Sequence, residues 1–273
     1  MCTLILGRDV VAPGTLLVAA NRDEDPARPS DPPVVLHEHP RIVGGRDRRA
    51  GGTWLAVREA RAVIAILNRR ADTAALPPDR RSRGALTLDV ASVAEDDASP
   101  LGPDDEQALL ACVPDGADPL ARAALRRALA AIAGSAYAPF TLIYASAGAV
   151  WMVAHDLGRA PVCRAIRAGW HVVTHADLDD PQEPRTAWLV ADLAAFRPRS
   201  IDDAEQRLGD LLRSHGGGGV PAVCLHDGRM VTVSSSMVWL APGEIRYRHA
   251  EGRPCEHPFE DQRAVLALPA KLP

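Results

Sequence analysis

Lysine is nearly absent from this chain: Lys271 is the single one, and arginine supplies the rest of the 31 Lys+Arg. Compositional bias accounts for that as well as any function does, so it assigns nothing. A basic excess is missing too. The formal net charge is -4 and the pI about 6.1, which argues against a nucleic-acid binder with a basic face. No run approaches the roughly 18 apolar residues of a membrane-spanning helix. Arg8 and Asp9 break the apolar start at residues 4–6 before a signal-peptide core forms. A cytoplasmic protein is therefore expected. The cysteines Cys2, Cys112, Cys163, Cys224 and Cys255 lie far apart, are odd in number and lack CxxC spacing. They read as isolated thiols in a reduced compartment, not as a disulfide framework or a zinc site.

What remains is an ordinary globular balance, 47% hydrophobic and 24% charged, enough for a sizeable core. The length suits one large layered domain over residues 1–273. Apolar runs at 2–7 and 15–20, separated by Val11-Ala12-Pro13-Gly14, predict a β-hairpin. Asn21-Arg22-Asp23-Glu24 follows it, then a proline-rich loop over 25–33 and short strands at 33–36 and 41–43. A second hairpin is expected at 53–58 and 62–67, with arms apolar enough to be covered on both faces. Helical spacing and alanine mark 84–94, 104–112 and 119–133. Strands resume at 140–145, 150–154, 161–166 and 169–174. Helices follow at 185–196 and 201–213, then a glycine-rich connector at 214–219 and strands at 229–240 and 244–249. Blocks of strands alternating with blocks of helices predict an antiparallel α+β design, two packed sheets with helices outside.

Cys2 has two readings. It is a small apolar residue on a strand, or it becomes the first residue once Met1 is removed. In that case its α-amine, with a pKa of about 7.7–8.0, can take the thiol proton. The hairpin brings Asn21-Arg22-Asp23-Glu24 back toward Cys2. An arginine there stabilises a thiolate, and a carboxylate orients an amine; the other reading is a solvated charged turn. Asn68, at the end of an apolar strand, is either a polar terminus or a donor to a developing oxyanion. His175, also at a strand end, is a substrate contact or a loop residue. Residues 44–53 glance at a phosphate loop but lack its lysine, and read instead as a glycine-hinged loop near the pocket, with Trp54 beside it. His37 and His39 have pair spacing for a metal but no third ligand nearby.

Met1-Cys2-Thr3, Asn21-Arg22-Asp23-Glu24, Gly44-Gly45-Arg46-Asp47, Gly51-Gly52-Thr53-Trp54-Leu55, Leu67-Asn68 and Ser82-Arg83-Gly84 together resemble the NRDE family, also called the transport-and-Golgi-organisation protein 2 family. The resemblance is close over the first third of the chain. It implies a four-layer αββα N-terminal nucleophile (Ntn) hydrolase-like fold. A more distant similarity is to bile-salt hydrolases and penicillin V acylases. By that likeness Cys2 is the nucleophile, Arg22 and Asp23 or Glu24 flank it, and Asn68 serves the oxyanion. The substrate is then a small molecule with an amide or related acyl bond, cleaved or transferred without a cofactor. Asn21, Glu24, Trp54 and His175 would line the binding site. Two positions depart from the patterns: Thr174-His175 stands where the acylases carry an asparagine, and Val233 where the NRDE pattern carries an arginine. The same resemblance carries an alternative, a non-enzymatic protein that binds or traffics haem or a lipid metabolite, although no Cys-Pro haem-regulatory pair occurs.

Overall fold

The computed structural model describes residues 2–267; Met1 and Lys271 lie outside the described residues. Chain order begins with β1 (Thr3–Arg8), β2 (Leu16–Glu24), β3 (Ser30–Glu38), β4 (Arg41–Asp47), β5 (Leu55–Arg58) and β6 (Ala62–Asn68). Three helices follow, α1 (Arg83–Ala91), α2 (Pro103–Cys112) and α3 (Pro119–Gly134), and then β7 (Phe140–Ser146), β8 (Val150–His155), β9 (Val162–Ala165) and β10 (Gly169–Val173). The chain continues through α4 (Pro184–Ala194), α5 (Ile201–Arg213), β11 (Val231–Ala241) and β12 (Glu244–Glu251), and ends its described part with β13 (Glu260–Asp261) and α6 (Arg263–Leu266).

The strands form two antiparallel sheets, one ordered β10-β1-β2-β11-β12-β13 and the other β3-β4-β5-β6-β7-β8-β9. Side-chain alternation along a strand sorts the apolar residues into three cores. Leu4, Leu6, Leu16 and Val18 of the first sheet meet Val43, Val57, Val63 and Ile143 of the second, forming the core between the sheets. The opposite face of the first sheet, through Ile5, Leu17 and Ala19, packs on Leu189 of α4 and Leu208 and Leu212 of α5. The opposite face of the second, through Ile42, Ile64 and Leu142, packs on Leu86, Leu109 and Leu125 of α1–α3. The result is the expected αββα stack of two sheets with helices outside. Among the described residues no helix is long and apolar enough to cross a membrane.

The structure changes three readings. Asn21-Arg22-Asp23-Glu24 is strand, not the segment after it, because β11 pairs along β2 as far as Glu24. Of the expected loop over 25–33, residues 30–33 belong to β3, and of the expected glycine loop over 44–53, residues 44–47 belong to β4. β3 tolerates Pro32 and Pro33 because it is an edge strand with one partner. The thiols are not all isolated: Cys224 and Cys255 converge with His215 and His226, and Cys163 packs against the core that contains Cys112. Cysteines brought together from distant parts of the chain leave no CxxC spacing to read.

The glycine motifs have a packing reason. A Cβ on Gly52 would lie 2.2 Å from the carbonyl carbon of Gly84, and Thr53 N–H donates to the Gly84 carbonyl at 3.2 Å. This backbone-to-backbone contact locks the start of α1 against the segment carrying Trp54. Gly52→Ala is expected to cost about 2–3 kcal/mol by overpacking. Gly51→Ala, at φ 75° with nothing within 4 Å, should cost only about 1 kcal/mol. Urea melts of the two variants read the difference.

Candidate active site

The β1–β2 hairpin is registered with Thr3 opposite Asn21, which sets Cys2 opposite Arg22. Alternation then decides what each side chain faces. Cys2 and Arg22 share parity with Leu4, Leu6 and Ala20 and turn toward the space between the sheets. Thr3, Asn21 and Asp23 share parity with Ile5 and Ala19 and turn toward the helices. At the end of the hairpin a cavity of about 410 Å³ opens, and its lining includes Cys2, Arg22, Asp23, Glu24, Trp54 and Asn68.

The Cys2 thiol donates to the Asp23 carbonyl oxygen at 3.7 Å. Burial first, and then the Asp23 charge, push it up to about 11. At neutral pH roughly one thiol in ten thousand is thiolate at that value. Asp23 is buried. Its carboxylate accepts from the Thr232 hydroxyl at 2.7 Å and lies 3.5 Å from Arg185 Nη1. Burial raises its pKa, against the opposing Thr232 bond and Arg185 charge. Arg185 is brought there by local structure. Glu183 caps α4 by accepting from Thr186 N–H at 2.7 Å, Pro184 starts the helix, and the Thr174 hydroxyl ties Glu183 to the end of β10. Arg185 then also donates to the Thr3 hydroxyl at 2.9 Å.

Arg22 is 6% exposed. Its Nη2 sits 3.7 Å from Glu24, while its Nη1 is buried without a partner among the described residues. Glu24 lies 3.8 Å from Arg28, which pairs with Asp47 at 2.6 Å. Arg80 and Arg83, from the segment entering α1, also line the cavity; burial and the charge of Arg80 lower the Arg83 pKa. Asn68 ends β6 exposed, and its side-chain amide engages no protein partner among the described residues.

Two of the residues singled out in the sequence lie outside this lining. Asn21 is buried beneath it, its amide donating to the carbonyls of Leu212 at 2.9 Å and Val223 at 3.1 Å. His175 follows β10, with Nε2 buried and without a partner among the described residues; burial and the nearby Arg70 charge lower its pKa.

Sequence reasoning missed several site residues. Thr232 and Arg185 reach Asp23 from β11 and α4, across separations that carry no motif. A bulge in β11 between Thr232 and Ser234 places Val233 in the cavity lining. His249 of β12 also lines it, its Nδ1 on the Ser236 hydroxyl at 2.9 Å. Burial pulls its pKa down to about 4, so it is neutral at pH 7.

No curated protein matches the sequence. Among solved structures, the Caenorhabditis elegans ortholog of N-acylethanolamine-hydrolyzing acid amidase superposes with a TM-score of 0.52 at 13% identity, covering 89% of this chain and 94% of that one. A mutant conjugated bile acid hydrolase from Clostridium perfringens gives a TM-score of 0.45 at 11% identity, covering 96% of both. At 13% identity the likeness to the amidase is one of fold, the two-sheet αββα arrangement of the Ntn hydrolases. The family model described as Transport and Golgi organisation 2 matches residues 1–208 of the 273, and the chain belongs to that family.

Proposed function

We propose that this chain is an Ntn-type cysteine hydrolase or acyltransferase acting on an amide or related acyl bond of a small molecule. The observation that carries the reading is the convergence of Cys2, Arg22, Asp23 and Asn68 on one cavity at the head of the chain. The thiol there is held neutral, so it needs a base. Removal of Met1 supplies one on the same residue, an α-amine titrating at about 8.

The chemistry balances as follows. The thiol proton passes to the Cys2 amine as Sγ bonds to the substrate carbonyl carbon. The carbonyl electrons move to oxygen, where the Asn68 amide supports the oxyanion. Collapse of the adduct breaks the acyl C–N bond, and the ammonium returns its proton to the leaving amine. Water, or an acceptor amine, then attacks the thioester with the same amine as base and frees the thiol. Asp23, fixed by Thr232 and Arg185, holds the ammonium form. Arg22 Nη1, without a partner among the described residues, and the nearby arginines suit a substrate with a carboxylate or similar acceptor beside the acyl group.

An acyl-electrophile probe followed by peptide mass mapping tests this. The processed protein is expected to carry the acyl group on Cys2 at least about tenfold more than on Cys112, Cys163, Cys224 or Cys255. Equal labelling of all five overturns it. Saturable haem or fatty-acid binding with no acyl adduct at Cys2 assigns the cavity to the non-enzymatic alternative.

A further inference from the structure

Away from the cavity, four side chains from three loop segments meet at one point. His215 follows α5, Cys224 and His226 lie in the approach to β11, and Cys255 follows β12. One ligand atom from each lies within 4.8 Å of all the others. His226 Nε2 is 3.1 Å from His215 Nε2 and 3.1 Å from Cys255 Sγ. Cys224 Sγ is 3.5 Å from Cys255 Sγ and 3.9 Å from His226 Nε2. We propose that His215, Cys224, His226 and Cys255 form a tetrahedral Cys₂His₂ site for one Zn²⁺ ion.

The distances suit a shared cation. Zn–S bonds of about 2.3 Å and Zn–N bonds of about 2.0 Å, arranged tetrahedrally, imply S···S edges near 3.8 Å, N···N edges near 3.3 Å and S···N edges near 3.5 Å. The observed separations scatter around those edges. The sulfurs are too far apart for a disulfide, whose bond is about 2.05 Å. Hydrogen bonding accounts for the cluster less well. Glu256 Oε1 lies 3.5 Å from His226 Nδ1 and favours the proton on that nitrogen. The Nε2 lone pair then points at a second imidazole nitrogen and two sulfurs. This is the carboxylate–histidine–metal arrangement, in which the outer acid fixes tautomer and ring orientation. Arg253 steadies the acid, its Nη1 donating to Glu256 Oε2 at 3.0 Å. Two thiols with two imidazoles, and no fifth ligand in the cluster among the described residues, favour zinc in a closed structural site over the harder cations.

The backbone already presents the ligands. The N–H groups of Val223 and Cys224 both donate to the Ser214 carbonyl at 2.9 Å, which joins the His215 and Cys224 loops. The same loop supports the cavity. Val223 accepts from the Asn21 amide, and Leu225 N–H donates at 2.9 Å to the Thr232 hydroxyl that in turn holds Asp23. A metal clip here fixes the scaffold behind Asp23, and it does so whether or not Cys2 turns over.

The test is metal content of the full-length protein, followed by cobalt titration after chelator stripping. About one zinc per chain is expected. Co²⁺ should give thiolate-to-cobalt charge transfer and the intense visible bands of a tetrahedral ion. Cys255→Ser and His215→Ala should each lose most of the zinc. His215 is exposed, so its variant should keep the parent far-ultraviolet circular dichroism, which separates metal loss from unfolding. Glu256→Gln should weaken zinc binding about tenfold. Three results overturn the site: less than about a tenth of a zinc per chain with only weak octahedral cobalt absorption, zinc retained in both ligand variants, or a Cys224–Cys255 disulfide whose reduction does not permit metal uptake.

Discussion

A chain that keeps Met1 is expected to turn over an acyl substrate about 10³-fold more slowly than the processed chain, the usual worth of a positioned general base. With Met1 attached, the Cys2 nitrogen is an amide and cannot accept a proton. The thiol is then left at about 11 by burial and the Asp23 charge, with almost no thiolate at pH 7. Once Met1 is gone, the neutral amine lies within the same residue and takes the proton as the carbon–sulfur bond forms. The pH profiles separate the two states. The processed chain should gain activity through the amine pKa of about 8 and then level off, because deprotonation creates the base. The blocked chain should rise about tenfold per pH unit with no break near 8, following the thiolate fraction toward its higher pKa. The comparison needs one protein with the natural start and one with a short N-terminal extension that is not removed. Equal kcat/KM in the two would remove the amine from the mechanism.

The Cys2 hairpin is legible because both of its determinants are local. Two apolar runs flank a proline-glycine turn, and period-2 alternation then puts Cys2 and Arg22 on the inter-sheet face and Asp23 on the other. The helices are legible for similar reasons: proline starts α2, α3 and α4, Ser200 caps α5, and their apolar faces match the two outer layers of core. What stayed hidden depends on distant pairing. Arg22 and Asp23 look like a charged turn until β11 runs alongside them. Pro32 and Pro33 read as loop because sequence does not say which strand lies at an edge. Arg185, Thr232 and His249 carry no motif, and their roles come from where α4, β11 and β12 end in space. The four side chains of the metal cluster are the extreme case, since they come from three loop segments, with only Cys224 and His226 close in sequence, and only the fold brings those segments together.

The oxyanion role makes the other large prediction. Asn68→Ala should lower kcat/KM about 10²–10³-fold, the cost of removing one preorganised donor. The structure separates the two asparagines near the site. Asn21 has its amide bound to the Leu212 and Val223 carbonyls and is fixed into the sheet–helix layer. Asn68 is exposed at the end of β6 and lines the cavity with Cys2. Its amide is therefore available to a substrate oxygen, and its removal leaves no buried group unsatisfied, so folding should be little changed. The chemistry supplies an internal control. Acylation passes through a tetrahedral oxyanion, whereas alkylation of the same thiol by iodoacetamide displaces iodide at carbon and builds none. Asn68→Ala should therefore slow acyl turnover while Cys2 alkylates at close to the parent rate. Asn68→Asp should be slower still in acylation, because a carboxylate faces the developing negative charge. A parallel loss in both reactions would mean that Asn68 shapes the approach to Cys2 and does not stabilise the oxyanion.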